Sequence, residues 1–255
     1  MIELLRAKAT RTRVSEVIYI GLNALLPLAI LALVRLFDPP YLAVVLVLLS
    51  KWRIFALRPR FWWVNIKANL VDILVGLSAA GLMYLAGNDQ LWLQILVTLL
   101  YGAWMLALKP KSGAHGIMLQ AGIAQFASLT VLFHFYRLPE LVVLVACFLI
   151  GYVCARHMVS NYEEPYVELM AALWGLFVME LAWLCYRWTI VYNLGLPILI
   201  PQIALIMLVI GFCAARMYHA NKHDRMTPGM LRGTAIFGAA LLGVILLFSP
   251  WDATV

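Results

Sequence analysis

Asp72 is a carboxylate inside a long apolar stretch, a position in which it could bind a cation or transfer a proton. The stretch covers residues 63–86, and Asn69 shares the predicted helical face of Asp72. An unpaired ionised group at the centre of a bilayer costs at least about 2.5 to 3.5 kcal/mol, so Asp72 needs a partner or a function. One interpretation is a structural ion pair with Lys51 or Arg53. The other is a cation or proton site that faces an inner cavity.

Glu180 is the second such carboxylate, in the outer half of a predicted helix over residues 165–187. Arg187 lies two turns further along the same face, so the two side chains could pair. The alternative is a titrating carboxylate that couples transport. Glu168, near the start of the same helix, is interpreted as structural because a helix N-terminus stabilises negative charge.

Further polar side chains lie within or beside the apolar stretches. Together with the two carboxylates they could line a polar route across the membrane: Asn69, Gln120, Ser128, His134, Asn193 and Gln202. In membranes such groups most often form hydrogen bonds between helices, at about 0.6 to 2 kcal/mol each. The glycine and prolines of residues 188–202 predict a break that lies at the outer surface or enters as a half-helix, as in transporters with interrupted helices.

Motifs for catalysis and metal binding are missing from the sequence. The absence of G-x-x-x-x-G-K-[ST], H-E-x-x-H and G-x-S-x-G argues against a P-loop ATPase, a zinc protease and a lipase. His219 and His223 are four residues apart, but two ligands are weak evidence for a metal, and a cationic interfacial loop is favoured. The four cysteines lack C-x-x-C spacing and are interpreted as small buried apolar residues. We therefore expect no catalytic residue, no metal and no cofactor.

The composition is that of an integral membrane protein. Of the 255 residues, 65% are hydrophobic and 12% are charged, whereas a soluble domain has about 25% charged residues. No stretch is long enough for a separate soluble domain, so residues 1–255 are predicted to form one integral membrane domain. The positive charges behind the net charge of +7 cluster at the ends of the apolar stretches. This favours anionic lipid headgroups, and not nucleic acid, as the partner.

The apolar stretches predict an all-α polytopic bundle of about nine transmembrane helices. They cover residues 17–37, 41–57, 63–86, 91–108, 114–136, 141–159, 165–187, 198–216 and 231–248. The second reaches the roughly 20 residues of a crossing only if Lys51 and Arg53 are included. Small residues every four positions, such as Ala235, Ala239 and Gly243 in the ninth stretch and a similar stripe in the fifth, predict packing inside the bundle. A dimer face is the alternative.

A cluster of cations and aromatic rings sets the predicted orientation. Its members, which we expect to contact lipid headgroups, are Lys51, Arg53, Arg58, Arg60, Trp62, Trp63 and Lys67. Indole rings favour the membrane boundary, and Lys and Arg favour the cytoplasmic side. This places the basic N-terminus (1–16), the interfacial turn (51–62) and the basic loop (216–232) in the cytoplasm. The C-terminus lies outside, and the membrane is the plasma (inner) membrane.

Two stretches resemble an uncharacterised family of multi-pass bacterial inner-membrane proteins. They are KWRIFALRPRFWWVNIKANLVDILVGLS, residues 51–78, and VSNYEEPYVELMAALWG, residues 159–175. The resemblance implies a helical inner-membrane protein, and it carries over no activity and no site residue.

Three hypotheses about function follow. The leading one is passage of a small solute or ion with intramembrane carboxylates, which a hydrated cavity reaching Asp72 and Glu180 would favour. The second is a non-catalytic scaffold or complex subunit, which a filled core would favour. The third is a lipid-modifying enzyme at the inner interface that uses Glu164, Glu168 and His157. A homo-oligomer is compatible with each.

Overall fold

The structure, a computed structural model, describes residues 20–54, 58–110, 113–135, 138–162, 164–193 and 195–250, with only the backbone of Arg53. Nine α-helices lie within these residues: α1 (Ile20–Leu36), α2 (Tyr41–Leu49), α3 (Trp62–Leu85), α4 (Leu91–Ala103), α5 (Ala114–His134), α6 (Glu140–Val159), α7 (Val167–Arg187), α8 (Gln202–Lys222) and α9 (Pro228–Leu247). A π-helical turn, Trp104–Leu108, continues α4, and short 3-10 turns form Trp52–Ile54, Pro59–Phe61 and Ser160–Tyr162. The predicted all-helical bundle is confirmed.

Seven helical stretches are long and apolar enough to cross a membrane. They are Pro59–Leu85, Leu91–Leu108, Ala114–His134, Glu140–Tyr162, Val167–Arg187, Gln202–Lys222 and Pro228–Leu247. At 1.5 Å per residue they match a hydrocarbon core about 30 Å thick. These stretches indicate a multi-pass membrane protein. The orientation of the chain and the identity of the membrane stay predictions.

The second helix is shorter than predicted. α2 ends at Leu49 after nine residues, about 14 Å, which is half of a bilayer core. Ser50 Oγ donates to the Val47 carbonyl at 2.6 Å, and a 3-10 turn follows at Trp52–Ile54. Such local side-chain bonds compete with helix continuation. The predicted crossing over residues 41–57 is therefore wrong as one helix, although 55–57 lie outside the described residues. Nine crossings are not established.

α5 is the central helix of the bundle, because it packs against α3, α6 and α8. Gln120, Ala124 and Ser128 of its predicted stripe are buried, in agreement with packing inside the bundle. The closest helix pair is α6 with α7. There Gly151 faces Gly175, and a Cβ at Gly151 would lie 3.0 Å from the Gly175 Cα. Only glycine permits this approach.

The stripe predicted for α9 does not pack inside the bundle. Ala235 and Ala239 are exposed, and a Cβ at Gly243 would meet nothing within 4 Å. α9 instead packs against α8 through the neighbouring face, where Gly238 lies against Cys213.

The segment before α8 forms neither a helix nor a half-helix in its described residues. Two short strands, β1 (Val191–Tyr192) and β2 (Ile200–Pro201), pair antiparallel, with Val191 opposite Pro201. α8 itself runs from Gln202 to Lys222 and so extends six residues beyond the predicted 198–216. The half-helix alternative is wrong, because Pro197 and Pro201 favour extended backbone and turns here.

Candidate functional site

One end of the bundle gathers ion pairs between helices, and we name it the basic end. It is defined by five cations that each contact a carboxylate, namely Lys51, Lys67, Lys109, Arg156 and Lys222. At the opposite end, Arg187 of α7 contacts Glu140 of α6 at 3.2 Å. All candidate sites can be placed relative to these two ends.

Asp72 is held by two ammonium groups and an indole. Its Oδ2 lies 3.3 Å from Lys51 Nζ and 2.6 Å from Lys109 Nζ, and its Oδ1 accepts from Trp104 Nε1 at 3.3 Å. The break after α2 positions Lys51, and the π-helical turn positions both Trp104 and Lys109. The ion pair of Asp72 with Lys51 is as predicted. Lys51 is only 8% exposed, so it supports α3 and does not face lipid headgroups.

The π-helical turn also anchors a chain of polar contacts across the bundle. Gln120 Nε2 donates to the Leu108 carbonyl at 2.7 Å, and Gln120 Oε1 lies 2.8 Å from His157 Nε2. Because the amide oxygen can only accept, Nε2 of His157 carries the proton in this contact. Gln120 therefore joins α4, α5 and α6.

A second ion cluster binds α3, α6 and α7 together around Glu168. Its Oε1 lies 2.5 Å from Lys67 Nζ and 3.2 Å from Arg156 Nε, and Tyr152 donates to its Oε2. This supports the structural interpretation of Glu168, with cross-helix partners added to the effect of the helix N-terminus.

A third cluster joins the loop before α7 to the end of α8. Glu164 accepts hydrogen bonds from Lys222 and Tyr218, and these bonds hold the pKa of Glu164 below its ordinary value. Beside it, Tyr162 and His219 share a hydrogen bond of 2.9 Å. Glu164, Glu168 and His157 thus belong to three separate clusters and not to one site.

The imidazole rings of His115, His219 and His223 lie in edge contact at the basic end. The ring centroids of His219 and His223 are 4.4 Å apart, and those of His115 and His219 are 5.4 Å apart. Within the described part of the chain, no group of three or more His, Cys, Asp or Glu side chains has the arrangement of a metal site.

The predicted lipid-headgroup cluster is divided by the structure. Arg58, Arg60 and Trp63 are exposed, and Arg60 lies 4.6 Å from the ring of Phe61 in a cation–π contact. Lys67 Nζ lies 5.3 Å from the centroid of the Trp63 ring, a cation–π contact, and it also pairs with Glu168. The side chain of Arg53 lies outside the described residues, and Trp62 is partly buried.

A cavity of about 470 Å³ lies among α5, α6, α7 and α8. It starts at the basic end, where His115 and Tyr218 line it, and it extends into the middle of the bundle, where Met207 and Trp174 line it. Nearly all other lining side chains are apolar. Its volume is that of small-molecule sites in proteins.

Two polar side chains in the wall of the cavity bind each other. Gln125 is the buried amide of the wall, and its Oε1 accepts from Trp174 Nε1 at 3.0 Å. Four lining residues on α5 and α8, namely Leu119, Ile123, Leu208 and Phe212, are between 37% and 51% exposed. These exposed apolar residues show that the cavity opens sideways, toward the surface that hydrocarbon would cover.

Three predicted residues form local or interhelical hydrogen bonds elsewhere. Asn69 Nδ2 donates to the Asn65 carbonyl on its own helix. Ser128 Oγ lies 2.9 Å from Ser78 Oγ and joins α5 to α3. His134 contacts the Thr130 carbonyl through Nδ1 at 2.7 Å and accepts from the Leu199 N–H through Nε2 at 3.1 Å. Both ring nitrogens of His134 are thus engaged by backbone.

Asn193 and Gln202 take structural roles around the strand pair. Asn193 Oδ1 accepts from the Gly195 N–H at 2.8 Å, which is an Asx turn. Gln202 Nε2 donates to Ser249 Oγ at 2.6 Å and so ties the start of α8 to the end of α9.

Glu180 does not form the predicted pair. Arg187 contacts Glu140 instead, because the start of α6 brings that carboxylate closer than a residue two turns away on the same helix. Glu180 is exposed on the outward face of α7. Among the described residues it has no hydrogen bond or ion pair.

Several residues of the sites were missed by sequence reasoning. Lys109 and Trp104 complete the site of Asp72, and Trp174 binds Gln125 in the cavity wall. Lys109 has a signal in the sequence, because consecutive antiparallel helices place the end of α4 at the same end of the bundle as the start of α3, where Asp72 lies. The arrangement as a whole can hold an apolar molecule, and its ion clusters hold helices together. Comparison of the chain with protein-family models, with curated proteins and with solved structures finds no match.

Proposed function

We propose that this chain is a multi-pass membrane protein that binds the apolar chain of a lipid in the cavity among α5, α6, α7 and α8. The cavity itself carries the proposal. Atoms that line a space of about 470 Å³ lack van der Waals partners on one side, which is unfavourable in a packed helical core. An apolar ligand removes this cost.

The walls support a flexible hydrocarbon ligand. Met118, Met158, Met170 and Met207 line the cavity, and unbranched thioether side chains adapt to ligands of irregular shape. The exposed side chains of α5 and α8 provide an entry from the bilayer, so that a lipid tail need not pass through water.

The mouth supports an amphipathic ligand and gives it a direction. His115 and Tyr218 line the cavity where it reaches the basic end, while its interior end lies among apolar residues. A lipid would therefore insert its tail toward Met207 and keep its headgroup beside the imidazoles, which act as hydrogen-bond donors and acceptors.

Transport of a small solute or ion with Asp72 and Glu180 as coupling carboxylates is the rival hypothesis. Neither residue lines the cavity, and Asp72 is engaged in ion pairs with two lysines. Transport has one observation in its favour, the exposed carboxylate of Glu180 in a crossing helix. It predicts pH-dependent flux in proteoliposomes that Glu180→Gln abolishes. A flux that Glu180→Gln leaves unchanged would contradict the transport hypothesis.

The experiment is photolabelling in vesicles of phosphatidylcholine and phosphatidylglycerol with a phospholipid that carries a diazirine in its acyl chain. The cavity-filling variant is Gly211→Leu, since Gly211 lines the cavity and a Cβ there has only Trp174 within 4 Å, at 3.8 Å. The matched control is Gly243→Leu on α9, where a Cβ meets nothing.

Lipid binding predicts labelled peptides from all four cavity helices in the wild type. Labelling of these peptides should fall several-fold in Gly211→Leu and stay unchanged in Gly243→Leu. Equal labelling of the two variants, confined to outward-facing residues, would contradict the proposal and favour the scaffold hypothesis.

A further inference from the structure

Three imidazole rings lie together where the cavity among α5, α6, α7 and α8 opens at the basic end. His115 lines the cavity, and its ring contacts His219, which in turn contacts His223. Nδ1 of His219 is engaged by the Tyr162 hydroxyl at 2.9 Å. When this hydroxyl donates, the proton of the neutral His219 ring lies on Nε2, which can then donate to a ligand. Each imidazole carries at least one N–H, whether neutral or charged, so the mouth of the cavity offers several hydrogen-bond donors.

The end of α8 adds a guanidinium to these donors. The helix closes in a Schellman turn, in which the Arg225 N–H donates to the Ala220 carbonyl at 2.9 Å. Within the same turn the Asp224 N–H donates to the Asn221 carbonyl at 3.3 Å. Asp224 has a φ of 50°, the left-handed conformation that this turn requires. The reversal of the chain keeps Arg225 within electrostatic reach of the His219 ring.

The described residues supply no anion for this group of donors. Among them, no ion pair joins the three imidazoles or Arg225 to a carboxylate. The carboxylate of Glu164 lies nearby, but it accepts from Lys222 and Tyr218 and is compensated there. Basic pockets between membrane helices on the cytoplasmic side are typical of sites for phosphate-bearing lipid headgroups, and this end of the bundle is the predicted cytoplasmic one.

We propose that the mouth of the cavity binds the headgroup phosphate of an anionic phospholipid. The donors are His115, His219, His223 and Arg225. This inference rests on the proposed function, because the tail of the same lipid would occupy the cavity. His115 belongs both to the lining of the cavity and to the group of donors, so that a headgroup and a tail of one molecule can be held at once.

Photolabelling with two probes that differ only in the headgroup tests the proposal. Phosphatidylglycerol and phosphatidylcholine carry the same diazirine acyl chain, and each is diluted into phosphatidylcholine vesicles. The phosphatidylglycerol probe should label peptides of the four cavity helices at least about 5-fold more strongly, the factor expected for one cation beside an anionic lipid. In phosphatidylcholine the choline cation compensates the phosphate, so this preference reports on headgroup charge.

Arg225→Gln should reduce the labelling ratio of the two probes to near one, because it removes the guanidinium of the site. Arg232→Gln is the matched control: it removes the same charge from an exposed residue in the first turns of α9, at the same end of the bundle, and should leave the ratio unchanged. His223→Leu removes one exposed donor and should lower the ratio at least about 2-fold, as expected for one hydrogen bond.

The outcomes separate this proposal from lipid binding itself. Equal labelling of the cavity peptides by both probes in the wild type would overturn the headgroup proposal and leave lipid binding intact. A ratio that ignores Arg225→Gln, or that falls equally in Arg232→Gln, would also overturn it, because the attraction would then belong to the whole basic surface. Absence of label from the cavity peptides with either probe would overturn both proposals.

A last comparison distinguishes a lipid headgroup from a free anion. Inorganic phosphate should leave the labelling ratio as it is in sodium chloride of equal ionic strength, because a free anion has no tail to anchor in the cavity. A ratio that falls to one in phosphate alone would make the site one for free phosphate and would overturn the lipid assignment.

Discussion

Replacement of Asp72 by asparagine should destabilise the bundle strongly. The carboxylate lies 2.6 Å from Lys109 Nζ and 3.3 Å from Lys51 Nζ. At an effective dielectric constant of about 20, such separations correspond to attractions of roughly 6 and 5 kcal/mol before desolvation is subtracted. Removing one partner of a buried pair costs about 3 to 5 kcal/mol, because the remaining charge stays buried without compensation. Asp72→Asn removes the carboxylate from both ammonium groups, of which that of Lys51 is buried.

The two lysines should differ from Asp72 in their effect. Lys51→Met removes a buried ammonium while Asp72 keeps Lys109, so we expect a cost below about 2 kcal/mol. The double variant Asp72→Asn with Lys51→Met should recover at least about 1 kcal/mol of the loss in Asp72→Asn, because one uncompensated charge is gone. This order of effects, and not any single value, tests the electrostatic argument.

The assay is reversible unfolding by dodecyl sulfate in mixed micelles, followed by circular dichroism. Asp89→Asn is the matched control, because Asp89 lies exposed in the turn between α3 and α4 and should change the free energy of unfolding by less than about 0.5 kcal/mol. An Asp72→Asn protein as stable as this control would refute the reasoning. So would a Lys51→Met protein that is as unstable as Asp72→Asn.

Three further outcomes follow from contacts of the described residues. Gly151→Ala should lower the free energy of unfolding by about 1 to 3 kcal/mol, because its Cβ would overlap α7; the same change at Gly243, which faces open space, should leave the midpoint of the dodecyl sulfate titration unchanged. The depressed pKa of Glu164 means that its contribution is present above the ordinary value and is lost as the pH falls through the lower folded value. Glu164→Gln should therefore flatten the acid side of a stability profile, and a profile that keeps its slope would count against the contact. His134→Leu leaves the Leu199 N–H without its acceptor, at about 1 to 3 kcal/mol, and should speed hydrogen exchange in residues 195–201 but not in α3.

Much of the bundle can be predicted because a bilayer imposes one length on every crossing. The limits of α4 with its π-helical turn agree with the predicted 91–108, and those of α3, α6 and α7 agree to within two residues. The pair of Lys51 with Asp72 follows from the same physics, since a charge in hydrocarbon needs a partner within reach of the hairpin. α2 fails this logic because the polar residues after it end the helix locally.

The remaining errors concern choices between helices, which local spacing does not contain. On a helical wheel Arg187 is within reach of Glu180, yet its guanidinium pairs with Glu140 of another helix. Lys109 and Trp104 reach Asp72 through a π-helical turn, and a constant period of 3.6 residues does not describe that turn. The cavity has no signature at all, because a void is a property of how four ordinary apolar helices fit together.

The wide turn at Trp104–Leu108 makes the site of Asp72 depend on the winding of the backbone and not only on residue type. Its closing bond runs from the Lys109 N–H to the Trp104 carbonyl at 2.8 Å, five residues back, so the turn holds one residue more than a regular one. If the same residues followed the regular α-helical winding, with the Lys109 N–H bonded four residues back, everything after the turn would be rotated by about 100°. Lys109 would then point away from Asp72, although the amino-acid sequence of the cluster would be unchanged.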